Sequence, residues 1–108
     1  MEPKPRTIRS LVLDNGNCPF DEWLTGLENP YFIRAVDARL TRIRDGNFGD
    51  HKSIGDGVFE LRIPKGPGLR VYYGLDHGEI VILLGGGDKS TQDKDIKQAH
   101  AFWRAYKK

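Results

Sequence analysis

The chain has 108 residues, of which 38% are hydrophobic and 30% are charged. A chain of this length forms one small domain with a single core, and this composition is typical of a folded, soluble protein. Seventeen Lys and Arg against fifteen Asp and Glu give a formal net charge of +2, which is too small to indicate nucleic-acid binding by itself. We therefore expect one domain over residues 1–108.

Several classes of protein are excluded by what the sequence lacks. Cys18 is the single cysteine, which excludes a disulfide framework and a thiolate metal cluster and fits a reducing compartment. The three histidines, at 51, 77 and 100, are too scattered to indicate a metal site, and we expect no metal and no cofactor. The longest aliphatic run is far shorter than a membrane span, and the N-terminal MEPKPRT lacks the apolar core of a signal peptide. These features predict a cytoplasmic protein with no membrane partner.

The N-terminal half predicts one strand and two helices. TIRSLVL is a strand-like run, and CPFDEWLTGL has apolar residues at helical spacing after Pro19, which suits a first helical position. Asn29 is placed as the N-cap of a longer helix that Gly46 should end. The apolar stripe of this longer helix consists of Ile33, Val36, Leu40 and Ile43.

The longer helix also carries four arginines off its apolar stripe, namely Arg34, Arg39, Arg42 and Arg44. An RNA-binding face is one interpretation of them. Charged helix faces are usually solvated, so we favour a solvent-exposed face with Asp37 and Asp45 as partners.

The C-terminal half predicts three strands and a helix. VFELRI, LRVYYGL and EIVILLG are separated by the turn sequences PKGPG and DHG, and a further short strand is possible near Lys52. The third run has no polar face, which predicts burial on both sides, whereas the other two alternate and should have one wet face. The closing helix should start at Ser90, with Asp93 as its capping-box partner. The fold class is therefore α+β, in the order β-α-α-β-β-β-α.

The stretch LLGGGDKST could in principle hold a phosphate, because glycines permit close backbone approach. Its sequence differs from that of the nucleotide-binding loops, because Asp88 stands immediately before Lys89 and would repel a phosphate. We therefore predict a turn from strand to helix here and look for phosphate chemistry elsewhere.

The hairpin around PKGPG contains the most informative feature. Symmetrical pairing about this loop predicts four facing pairs: Ile63–Leu69, Arg62–Arg70, Leu61–Val71 and Glu60–Tyr72. One face of the hairpin is then apolar and should be covered by helices, and the other should face solvent. Like charges directly across a sheet cost up to about 1 kcal/mol, so the facing arginines call for an anion nearby.

Two sources of that anion remain open. In one, Arg62 and Arg70 hold an RNA phosphate while Tyr72 bonds a phosphate or stacks on a base. In the other, the arginines belong to a structural cluster with Glu60 and an acid such as Asp88. Three further residues could border this face, His51, Lys52 and Lys89. If the face is wet, Arg70→Ala should leave stability unchanged or slightly raised.

The ordered combination GDGVFELR, GPGLRVYY and LLGGGDKSTQDKDI resembles the RelE/ParE superfamily of type II toxin–antitoxin toxins. The likeness is strongest to the phage-derived killer proteins grouped with HigB, and the FDEWLTGL and RLTRI helices extend it over most of the chain. The resemblance implies a RelE-like fold, a small curved and mainly antiparallel sheet packed on two N-terminal helices and a C-terminal helix. It also implies cleavage of mRNA on the ribosome and neutralisation by a small antitoxin.

The resemblance also assigns site residues. Arg70 matches the arginine with which RelE-type enzymes stabilise the transition state, and Lys89 matches a basic residue after the last strand. Arg62 and Lys52 fall where those enzymes place further basic residues. The implied catalytic set is therefore Arg70, Arg62, Lys89 and Lys52. From the hairpin face itself, the predicted RNA-binding set is His51, Tyr72, Arg62 and Arg70.

Three functions are compatible with the resemblance. The first is a ribosome-dependent mRNA endonuclease toxin whose partners are the ribosome, mRNA and a cognate antitoxin, expected to be a helix-turn-helix protein encoded downstream. DNA would be contacted indirectly through that antitoxin. The second is a ParE-like inhibitor of DNA gyrase, which needs no nuclease site. It is kept open because Ser90 and Ile96 stand where RelE itself has a catalytic arginine and tyrosine. The third is an inactive homologue acting in an antitoxin-bound repressor.

Overall fold

The computed structural model describes residues 4–108 as an α+β protein with a five-stranded mixed sheet and three helices. The elements are β1 (Thr7–Ser10), α1 (Pro19–Gly26), α2 (Pro30–Arg44), β2 (His51–Ser53), β3 (Val58–Ile63), β4 (Leu69–Asp76), β5 (Ile80–Gly87) and α3 (Gln92–Tyr106). The predicted class and order are confirmed, including the short strand near Lys52, which is β2. The expectation about the N-terminal MEPKPRT falls partly on residues 1–3, which lie outside the described residues.

The strands lie in the order β1-β5-β4-β3-β2. β1 runs parallel to β5, and the remaining neighbours are antiparallel. The predicted hairpin register is confirmed in every pair, because Ile63–Leu69, Arg62–Arg70, Leu61–Val71 and Glu60–Tyr72 are the observed partners. None of the helices formed by residues 4–108 is both long enough and apolar enough to cross a membrane.

The start and end of α2 follow the predicted capping chemistry. The Asn29 side chain accepts hydrogen bonds from the backbone N–H groups of Tyr31, at 2.9 Å, and Phe32, at 3.3 Å. These bonds satisfy two amides that the first helical turn leaves without partners. The helix ends at Arg44, and Gly46 follows with a φ of +92°, a conformation that glycine adopts without steric cost.

The start of α3 differs from the prediction that Ser90 is its cap. A short 3-10 turn, Lys89–Thr91, precedes the helix, and Asp88 caps this turn by accepting from the Ser90 N–H at 2.8 Å. Thr91 completes a capping box with Asp88, the role predicted for Asp93 with Ser90. The carboxylate is a stronger acceptor than a hydroxyl, and it lies one residue after the strand, so the helical turn begins earlier than expected.

Both faces of the sheet are covered, and each cover forms its own core. Helices α1 and α2 pack on one face around Phe20, Val36, Leu40 and Ile43. The other face is covered by α3, whose Ala99 and Trp103 pack on Val58, Tyr72, Ile82 and Leu84. The prediction that β3 and β4 keep a solvent-exposed face is therefore wrong at Glu60 and Tyr72, which α3 covers, whereas the Arg62 side chain near the end of the hairpin is 42% exposed. The prediction for β5 is confirmed, since its residues 81–84 are buried and divide between the two cores.

All three glycines of LLGGG belong to β5, so the strand ends two residues later than the predicted run EIVILLG. A methyl group added at Gly86 would overlap the indole of Trp23, and one added at Gly87 would overlap Asp95 and Thr91. A methyl group at Gly85 would meet no atom of the described residues within 4 Å. Two of the glycines therefore allow close approach of a neighbouring element, whereas Gly85 borders open space.

This difference predicts opposite effects for two adjacent substitutions. We expect Gly86→Ala to lower the free energy of unfolding by about 1–3 kcal/mol, because Trp23 must shift to accommodate the methyl group. Gly85→Ala is the matched control and should leave stability unchanged or slightly raised, since alanine restricts the unfolded chain. Urea unfolding of both variants tests this. Equal stability of the two would contradict the packing of Trp23 on Gly86.

Candidate functional site

The facing arginines line an open pocket at the end of the β3–β4 hairpin. The pocket has a volume of about 320 Å³. We call it the arginine pocket. The residues that line it are Asp50, Arg62, Ile63, Pro64, Gly68, Leu69 and Arg70. The register puts Arg62 and Arg70 directly opposite each other, and strand alternation puts both on the face that carries α3.

The Arg70 guanidinium forms an ion pair with a buried carboxylate. Its Nε lies 3.6 Å from Oε2 of Glu60, which is fully buried, and the Arg70 side chain is 14% exposed. The same carboxylate oxygen accepts a hydrogen bond from Nε2 of Gln92 at 2.8 Å, and Arg70 Nη1 donates to the Gly68 carbonyl at 2.9 Å. These contacts fix the guanidinium in one orientation. The Arg70 charge is therefore partly neutralised from within the protein.

Arg62 has a more exposed partner. Its Nη2 donates to Oδ1 of Asp50 at 3.1 Å, and the two side chains are 42% and 55% exposed. Asp50 is placed by the backbone, because the Arg62 N–H donates to the Asp50 carbonyl at 3.0 Å. An ion pair with this exposure is weak, so Arg62 can exchange its carboxylate for an external anion.

Arg39 of α2 anchors the segment behind the pocket. Its guanidinium donates to the carbonyls of Arg62 at 2.6 Å, Phe48 at 3.1 Å and Asp50 at 3.1 Å. Burial lowers the pKa of Arg39, with the Asp50 carboxylate acting in the opposite direction. The prediction of a wholly solvated arginine face is wrong for Arg39. A side chain at Gly49 would contact the Arg39 guanidinium. The glycine in the segment GNFGD was therefore the feature of the sequence that could have indicated this close approach.

Two lysines border the same region. The backbone N–H of Lys89 donates to the Pro67 carbonyl at 3.4 Å, which brings Lys89 to the loop beside Arg70. Lys52 pairs with Glu60 in the β2–β3 ladder and therefore shares the face that carries Arg62. Both lysines are exposed. The structure therefore places Lys52, Arg62 and Arg70 on one face of the sheet, with Lys89 beside the loop that precedes Arg70.

His51 and Tyr72 do not join this group. His51 pairs with Leu61 and so lies on the other face, with its ring centroid 5.5 Å from that of Phe48 and 6.3 Å from that of Phe59. The Tyr72 side chain is 1% exposed beneath α3, so the prediction of an exposed tyrosine is wrong. Burial raises the pKa of Tyr72, and Glu60 and Asp95 raise it further. Its ring has no exposed face on which a base could stack.

The chemistry of the arginine pocket is that of an anion site. Neither of the other two histidines is part of it, because His77 pairs with Asp76 and Nε2 of His100 lies 3.0 Å from the Ile54 carbonyl. Within residues 4–108 there is no cluster of three or more His, Cys, Asp or Glu that could hold a metal ion. Two guanidinium groups and two lysines can bind a phosphate and stabilise negative charge that develops on it.

The fold and the pocket define the protein as an α+β domain whose β3–β4 hairpin carries two facing arginines at an open pocket. No family model matches the chain. It is 59% identical over 80 residues to an uncharacterized protein of Haemophilus influenzae, a match that covers 74% of this chain and 81% of that protein. The chain therefore belongs to the same family as that Haemophilus protein.

The two arginines should respond differently to truncation. We expect Arg70→Ala to lower the free energy of unfolding by about 3 kcal/mol, because it leaves the buried Glu60 carboxylate without its cation. This reverses the outcome expected for a wet face. Arg62→Ala, the matched control, should cost less than about 1 kcal/mol, since its pair with Asp50 is exposed. Thermal melts of both variants measure the difference, and an Arg70→Ala protein as stable as wild type would contradict the buried pair.

Proposed function

We propose that the protein is the toxin of a type II toxin–antitoxin system, of the RelE/ParE superfamily, and cleaves mRNA on translating ribosomes. The observation that carries this proposal is the facing pair of Arg62 and Arg70 at an open pocket. Lys52 lies on the same face of the sheet, and Lys89 lies beside the loop that precedes Arg70. The RelE-like resemblance of the sequence and the α+β order of the elements support it. A cognate antitoxin of the helix-turn-helix type is the expected partner.

The pocket suits the cleavage of a phosphodiester. Attack of the 2′-hydroxyl on the scissile phosphate creates a phosphorane with additional negative charge, which fixed cations stabilise. Arg70 is preorganised by Glu60 and the Gly68 carbonyl, so it pays little reorganisation when that charge appears. Arg62 can release Asp50 and grip the phosphate, and the two lysines add positive charge at the rim. The ribosome supplies the positioning of the substrate.

A second function is favoured by one specific observation. Both arginines have internal carboxylate partners, and none of the three histidines contacts either arginine in the described part of the chain. A site that binds an anion without chemistry would look the same. The alternative is therefore a ParE-like protein that inhibits DNA gyrase, or an inactive homologue that acts within an antitoxin-bound repressor.

The proposal predicts growth arrest when the protein is expressed without a partner, accompanied by mRNA cuts that appear during translation. Mapping of RNA 5′ ends, with and without an inhibitor of translation initiation, measures this. Arg62→Ala should slow cleavage by roughly 10²–10³-fold, the size of effect seen when one donor that stabilises charge in the transition state is removed. This variant is chosen over Arg70→Ala because it should fold normally.

Arg104→Ala is the matched control, since it removes an exposed arginine of α3 outside the arginine pocket. It should arrest growth as the wild-type protein does. Normal growth with confirmed folded wild-type protein would contradict an active toxin. Loss of DNA supercoiling without RNA cuts would favour the gyrase alternative, and efficient cutting of naked RNA would overturn the dependence on the ribosome.

A further inference from the structure

A second cleft opens between α1 and α3, beside the last residues of β5. Its volume is about 180 Å³. That is similar to the engineered cavity of about 150 Å³ that accommodates benzene. The residues that matter for its chemistry are Trp23, Tyr72, Gly85, Asp95, Gln98 and Phe102. We call it the α1–α3 cleft.

The cleft exists because β5 is longer than its parallel neighbour. The pairing of β1 with β5 ends at Ser10 and Leu83, so within residues 4–108 no strand lies beside residues 84–87 on that side. Gly85 has no side chain to fill the resulting space, and a Cβ there would meet no described atom within 4 Å. The backbone of β5 is therefore the floor of the cleft.

The polar side chains that line the cleft are Tyr72, Asp95 and Gln98. Tyr72 is 99% buried, and it lies directly opposite Glu60 in the β3–β4 register, whose carboxylate does not line the cleft. Because the Tyr72 hydroxyl can donate to that carboxylate, it needs no partner from the cleft. The polar groups that remain for a ligand are the carboxylate of Asp95, which accepts hydrogen bonds, and the amide of Gln98, which donates and accepts them.

The walls and charges narrow the class of ligand. Each helix contributes one aromatic ring, Trp23 from α1 and Phe102 from α3, which suits a flat ring. The carboxylate of Asp95 disfavours a phosphate and favours a group that donates N–H bonds. We propose that the α1–α3 cleft binds one unstacked nucleobase that carries an exocyclic amino group, adenine or cytosine.

The cleft is adjacent to the arginine pocket. Arg70 and Tyr72 lie on the same face of β4, two residues and roughly 7 Å apart along the strand. An RNA whose phosphate occupies the arginine pocket therefore brings a neighbouring base to the cleft. Where the base belongs to RNA, the inference rests on the proposed function. The same chemistry would recognise a free nucleoside.

Titrations followed by ¹H–¹⁵N NMR test the inference with the whole protein. Adenosine and cytidine should shift the amide signals of Gly85 and Gly86 and the indole signal of Trp23. Uridine, which has a carbonyl in place of the amino group, should bind at least tenfold more weakly. Single-stranded AAA and UUU trinucleotides form the second arm, and additional shifts at Arg62 and Arg70 with AAA would identify RNA as the source of the base.

Two variants locate the binding. Gly85→Val should fill the cleft without a clash and abolish the adenosine shifts, and a thermal melt confirms that it is folded. Asp95→Asn removes the carboxylate that lines the cleft and should weaken adenosine binding about tenfold. Gly26→Val is the matched control, because Gly26 also borders open space but lies on the surface of α1. It should bind adenosine as the wild type does.

Several outcomes would overturn the inference. They are the absence of shifts at millimolar nucleoside, equal binding of uridine and adenosine, or unchanged binding by Gly85→Val. Stronger binding of N-acetyl-arginine amide than of adenosine would instead make the cleft a site for a basic peptide. Nucleoside binding by a protein that neither arrests growth nor cuts RNA would contradict the proposed function and leave the cleft intact. A toxic protein that binds no nucleoside would contradict the inference about the cleft and leave the proposed function intact.

Discussion

The buried carboxylate of Glu60 connects three elements of the structure. It belongs to β3, pairs with Arg70 of β4 and accepts a hydrogen bond from Gln92, the first residue of α3. A fully buried carboxylate is costly unless its charge and hydrogen-bonding capacity are met, so these contacts constrain where α3 starts. The same contacts orient the Arg70 guanidinium toward the pocket. The position of the helix and the geometry of the candidate site therefore depend on one buried side chain.

The sequence predicts the elements and the hairpin register well, because these depend on local patterns. PKGPG between two alternating runs leaves one symmetrical pairing, and Asn29 with Gly46 defines α2 by capping chemistry that acts within a few residues. The position of α3 is a long-range property. Its apolar stripe predicts that one face is buried but does not say against which side of the sheet, so the burial of Tyr72 and Glu60 could not be predicted.

The candidate site was predictable only where it depends on local patterns of the sequence. Strand alternation places Arg62 and Arg70 side by side, and their like charges indicate a nearby anion. The partners Asp50 and Gln92 and the anchoring by Arg39 depend on a loop and on helix packing, which leave little trace in the local sequence. Arg39 looks like the other arginines of its helix. Arg39 differs from them because its guanidinium donates to three backbone carbonyl groups, which belong to residues 9 to 23 positions away along the chain.

The lengths of the two outer strands affect how the protein behaves in concentrated solution. β2 has three residues, all of them exposed and including Lys52, and β1 has four, including Arg9. An outer strand exposes unpaired amide and carbonyl groups that can pair with another chain. A short strand exposes few such groups, and charged side chains on it oppose the approach of another strand. The sheet therefore presents little surface for the edge-to-edge stacking from which fibrils grow, even though most residues of its middle strands are aliphatic or aromatic.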